Sequence, residues 1–69
     1  MFAPDLERTI ERYMLEAIEL EENRNEDGSI NWNFVDADVY MRLNPVNETV
    51  DLYMEIFDKI AYLIEEKAA

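Results

Sequence analysis

Apolar residues along this chain recur with two different periods. From about Asp5 to Glu22, Leu6, Ile10, Tyr13, Met14, Ala17 and Ile18 fall at the three- and four-residue steps of one helical face. Pro4 suits a first helical turn, where its missing N–H is not needed, and Asp5 and Glu7 suit the positive end of the helix dipole. Leu15 lies on the polar side between Arg8 and Glu19, as a lone exposed leucine or as part of a contact. Asn23 to Ser29 is a run of turn formers around the only glycine, Gly28, and ends this helix.

The next stretch, Ile30 to Leu43, alternates. Ile30, Trp32 and Phe34 share one face, the phase breaks, and Val39, Met41 and Leu43 resume it. Folding the stretch about Asp36 and Ala37 pairs Phe34 with Val39, Trp32 with Met41 and Ile30 with Leu43. A one-residue slip would turn one strand the wrong way, so the pattern predicts an antiparallel hairpin in this register. A four-residue loop from Val35 to Asp38 suits it better than a two-residue Asp-Ala turn without glycine, and one bent strand is the alternative. Asn44 and Pro45 then read as the cap and first position of a second helix, with Asn47 as a later cap, continuing to about Glu66.

The second helix carries a wide apolar arc. Val50, Leu52, Tyr53, Met54, Ile56, Phe57, Ile60, Ala61, Leu63 and Ile64 cover roughly 200° of its wheel, twice what packing on one core requires. A hairpin of about 17–20 Å does not cover that arc. The expectation is therefore an α+β fold, a small α-β-β-α domain over residues 1–69 with two amphipathic helices packed on a two-stranded hairpin. Homodimerisation through Leu52, Ile56 and Leu63 would complete it. Size argues the same way, because a chain near 60 residues buries only about 60% of its unfolded surface. With no Cys and no His, disulfides and the usual zinc ligand sets are absent, which leaves self-association as the source of extra stability.

Charge sets the expected partner. Seventeen carboxylates against six cations in 69 residues give a net charge of -11. Such a chain repels nucleic acid and anionic membrane and favours basic protein surfaces. At 49% hydrophobic and 12% aromatic residues it is too apolar for a disordered acidic tail. No basic segment followed by an apolar run opens the chain, and no stretch approaches the roughly 20 apolar residues of a membrane span, so a cytoplasmic protein is expected. A halophilic origin would also explain acidity, but six asparagines and six isoleucines do not lean that way.

The acids are organised on the second helix. Asp51, Glu55, Asp58 and Glu65 follow one another at steps of four, three and seven, with Tyr62 in the gap and Glu48 and Glu66 beside the row. Like charges one turn apart cost a helix a few tenths of a kcal/mol per pair, and a merely solubilising face usually mixes in lysine. On the first helix Glu11, Glu19 and Glu22 alternate with Arg8 and Arg12, which can pair with them. The row of Glu48, Asp51, Glu55, Asp58 and Glu65 could occupy a groove whose cations are spaced for successive phosphates, with Tyr62 as an aromatic anchor. In size, charge and lack of catalytic equipment the chain resembles the small acidic DNA-mimic inhibitors of phages and mobile elements, the anti-restriction, anti-CRISPR and uracil-glycosylase inhibitor proteins. No sequence motif carries that resemblance. It implies a non-enzymatic inhibitor of a nucleic-acid-processing enzyme or complex, acting in the host cytoplasm and without a cofactor.

Two other readings stand beside it. One is a structural or regulatory homodimer whose acidity only gives solubility. The other is calcium binding: Asn23, Asn25, Asp27, Gly28, Ile30 and Asn31 match positions one, three, five, six, eight and nine of an EF-hand loop. Position twelve, however, holds Phe34 in place of the bidentate glutamate, and the following residues alternate like a strand. An enzyme is not expected. There is no His, Cys or phosphate-cradling loop, and Asp36 and Asp38, the one close carboxylate pair considered, fall at the expected turn without a pocket.

Overall fold

The computed structural model describes residues 4–68, and among them it holds three helices: α1 (Pro4–Ile18), α2 (Trp32–Leu43) and α3 (Val50–Ala68). Short 3-10 turns at Glu21–Asn23 and Asn47–Thr49 lie in the connections. The β pairing among the described residues is one isolated bridge, Arg24 to Ile30, which closes the loop between α1 and α2. The expected α+β hairpin is thus replaced by a helix.

The helix forms because the stretch carries a second period that the alternation hides. Trp32, Val35, Val39 and Leu43 recur at steps of three and four, and these are the positions of α2 turned toward the core. Eight of its twelve residues are apolar, on both sides, so neither period dominates the sequence. Local signals at the ends decide. Asn31 caps the N-terminus, its Oδ1 accepting from the Phe34 N–H at 3.2 Å. Asn44 takes the left-handed conformation at φ 48°, donates its N–H to the Tyr40 carbonyl at 2.8 Å, and is followed by Pro45. Asn44 and Pro45 therefore end a helix instead of starting one, and α3 begins at Val50.

α1 starts as the periodicity predicts but stops at Ile18, four residues early. Its last carbonyls are taken up by side chains from the loop, as unpaired helix ends require. Arg24 Nε donates to the Ile18 carbonyl at 2.8 Å, and buried Asn23 donates Nδ2 to the Ala17 carbonyl at 3.0 Å. Asn23 Nδ2 also reaches Asp38 Oδ2 at 3.2 Å, tying the end of α1 to α2. Gly28 sits at φ 88°, a conformation open to glycine, and lets the loop turn back on itself.

Ile10, Met14 and Ala17 of α1, Val35 and Val39 of α2, and Tyr53, Ile56, Phe57 and Ile60 of α3 form the core. α1 packs closely on both other helices. α2 and α3 meet through rings: Trp32 on Phe57 edge-to-face at 6.0 Å, and Tyr40 on Tyr53 at 5.6 Å. Tyr53 is the largest fully buried side chain, and its hydroxyl donates to Asp36 Oδ1 at 2.5 Å. Asp36 and Asp38 therefore lie on a helix, each holding a structural hydrogen bond.

Two helices, not a hairpin, cover the wide arc of α3, and Met54 and Leu63 at its edges stay exposed. The third helix thereby supplies part of the cover whose shortfall led to the expectation of homodimerisation, and Ile56 is only 5% exposed within the single chain.

Two measurements check this packing. Val39→Ala should cost about 1.5–3 kcal/mol in urea unfolding, whereas Phe34→Ala, on the outer side of α2, should stay within about 0.5 kcal/mol at low protein concentration. The paired strands of a hairpin would make both costly. Burial, with the hydrogen bond to Asp36, raises the Tyr53 hydroxyl above its ordinary 10.0, so the folded chain holds a proton that the unfolded chain releases. Stability from this group is complete well below pH 10 and declines as the pH passes it, by about 1.4 kcal/mol at pH 11. Tyr53→Phe should be less stable than the parent at pH 8 and should lose correspondingly less between pH 8 and pH 11.

Candidate functional site

The rotation of α3 decides which of its side chains meet solvent. With Tyr53, Ile56, Phe57 and Ile60 turned inward, the 100° step of an α-helix carries Asp51, Glu55, Asp58, Tyr62 and Glu65 to the opposite side, and all five are exposed. Asp51 and Glu65 are about 21 Å apart along the axis. Glu48 is exposed too, but belongs to the turn before α3. Tyr62 stands within the row at 67% exposure.

Three of the six cations, Arg24, Arg42 and Lys59, are engaged away from the row. The ion pairs among the described residues are Arg42 with Glu16 at 2.8 Å and Lys59 with Glu7 at 3.4 Å, each directed to an acid of α1. Arg42 also lies over the Tyr13 ring at 4.0 Å. Arg24 serves the Ile18 and Gly28 carbonyls. None of Glu48, Asp51, Glu55, Asp58 and Glu65 has an ion-pair partner among the described residues. Glu65 alone of the row has a hydrogen-bond partner there, accepting from Trp32 Nε1 at 2.8 Å. That link joins the far ends of the sequence pattern, an indole from α2 and an acid from α3, and nothing in either local period announces it.

The residues expected at a dimer interface lie along one side of α3 and differ in exposure. Ile56 is in the core, Leu52 is partly buried and Leu63 is exposed at 45%. Leu52 and Ile56 line an open cleft of about 290 Å³ with Glu7, Glu55 and Lys59, between α1 and α3. Its size is at the lower end for a small-molecule site.

The Asn23–Phe34 loop is followed by a helix, which the strand expectation had denied it. Its oxygens are nevertheless engaged within the chain. Asp27 Oδ1 accepts from the Ser29 hydroxyl at 2.6 Å and from the Ser29 N–H at 3.0 Å, and these bonds hold its carboxyl below the usual range. Asn23 is buried against Ala17 and Asp38. Among the described residues no three carboxylates are grouped closely enough to hold a metal ion.

No helix of the described residues is long and apolar enough to cross a membrane. Compared with family models, curated proteins and solved structures, the chain finds no match. The functional reading therefore rests on the geometry of the acidic face.

The Trp32–Glu65 bond offers a direct spectroscopic readout, since Trp32 is the only tryptophan. Glu65→Ala should shift the emission maximum of Trp32 and lower stability by up to about 1 kcal/mol. Glu48→Ala should change neither.

Proposed function

We propose that this protein is a non-enzymatic binding module whose α3 acids occupy a basic, nucleic-acid-binding surface of another protein in place of a phosphate backbone. The supporting observation is a rigid helix with an acidic face that its own cations leave uncompensated. Asp51, Glu55, Asp58, Glu65 and Glu66 supply five charges over about 22 Å of axis, a mean step of roughly 5–6 Å. A nucleic-acid strand carries about one per 3.4 Å. Such a face can neutralise a cationic groove without any chemistry.

The arrangement is costly by itself, which further supports a role in binding. Asp51 with Glu55, and Glu55 with Asp58, repel at one-turn spacing by a few tenths of a kcal/mol. Glu65 and Glu66 lie in the last turn of α3, where the helix dipole disfavours anions. A groove lined with arginine and lysine relieves both, and Tyr62 would meet it as an aromatic contact at the centre of the row.

The test is capture of partners from cell extract on the immobilised protein, eluted with rising salt or with duplex DNA. Captured proteins should be nucleic-acid binders that leave in moderate salt and are displaced by DNA. Reversing Asp51, Glu55 and Asp58 to Lys should weaken capture at least tenfold. Reversing Glu11, Glu19 and Glu22, with the same change in net charge, should cost much less. Equal losses from the two triples, or partners that DNA does not displace, would reject the proposal.

A further inference from the structure

The cleft between α1 and α3 shares one acid, Glu55, with the outward row and is built differently from it. Buried Ile56 and half-buried Leu52 give it an apolar floor, and the more exposed Glu7, Glu55 and Lys59 give it a charged rim. The charges on the rim do not cancel. Lys59 Nζ reaches Glu7 Oε1 at 3.4 Å, and its side chain is 65% exposed. That distance is long beside the roughly 2.7–2.9 Å of a charge-assisted bond, and an exposed pair of this kind contributes little. Glu55 has no ion-pair partner among the described residues. One carboxylate is thus unpaired and another loosely held, beside the same apolar strip.

We propose, on the reading of α3 as the face that a basic protein covers, that this cleft receives one arginine side chain of that protein. Size, polarity and charge select the occupant. A volume of about 290 Å³ is just under the roughly 300–1,000 Å³ of small-molecule clefts, and suits a single side chain. The methylenes of an arginine can lie along Leu52 and Ile56 while its cationic head stays at the rim. Its planar guanidinium carries several donors in a fixed fork, enough for both acids that line the cleft.

Lysine fits less well. The chain's own Lys59 already places an ammonium on Glu7, so an incoming lysine replaces like with like, whereas an arginine takes Glu7 and Glu55 together and lets the flexible Lys59 stem move out to solvent. The cleft therefore distinguishes between cations, which acids spread evenly along a helix do not. It also makes Glu7, on α1, a contact outside α3.

Nuclear magnetic resonance titrations of the labelled full chain at low salt, with oligoarginine and oligolysine peptides of equal length, test the proposal. Oligoarginine should bind about threefold or more tightly than oligolysine, shifting the amides of Glu7, Leu52 and Ile56 along with those of the row. Glu7→Gln should bring the two affinities together. Glu11→Gln, which removes the same charge from α1, should leave the preference intact. Leu52→Asn, which leaves the charge alone, should also reduce the preference, with the helical circular dichroism unchanged. Equal affinities for binding along Asp51 to Glu65, or an arginine preference that survives either Glu7→Gln or Leu52→Asn, would overturn the cleft and leave the α3 reading standing. Changes spread evenly over all acids would overturn both.

Discussion

The seating of Tyr53 fixes the rest of the structure. It is the largest side chain wholly enclosed, its ring lies against Tyr40 and Phe57, and its hydroxyl is held by Asp36. A buried phenol without a partner would be costly, so α3 can rotate very little about its axis without breaking that hydrogen bond. Rotation is what matters for function. Once Tyr53 points inward, Asp51, Asp58 and Glu65 must point outward, because the helical step leaves them nowhere else.

The three helices then divide the chemistry of the chain. α1 receives one basic side chain from each of the other two, through Glu16 with Arg42 and Glu7 with Lys59. The acids of α3 keep no ion pair among the described residues, because its Lys59, which shares a cleft with Glu55, pairs with Glu7 of α1. α2 presents an uncharged outer side because its acids hold Tyr53 and Asn23. Packing, ion pairing and the exposure of the acidic row follow from one arrangement.

Much of this was legible in the pattern of residues. The apolar face of α1 and the acidic row of α3 follow from periods of three and four, and each sequence-based assignment to the core of α1 is buried or half-buried. The middle of the chain was not legible by period alone. With apolar residues on both sides of α2, alternation and helical spacing coexist, and pairing Phe34 with Val39 joined an outer residue to an inner one. The cap at Asn31 and the left-handed stop at Asn44 before Pro45 carry the distinction, and Asn44 reads equally well as a start. Of the residues expected to meet a partner, Glu48, Asp51, Glu55, Asp58, Tyr62 and Glu65 are all at the surface, whereas the buried position of Ile56 depends on a third helix that the period of α3 does not contain.

An anionic face held outward by a fixed core should attract a cationic ligand at one place. Backbone amide shifts of the isotopically labelled protein, recorded by nuclear magnetic resonance while an oligoarginine peptide is added, locate that place residue by residue. The largest changes should fall on Asp51 through Glu65 and fade with salt, with those of the more densely acidic Glu19–Asp27 segment small. Changes spread evenly over all acids, or greatest between Glu19 and Asp27, would contradict a specific role for α3.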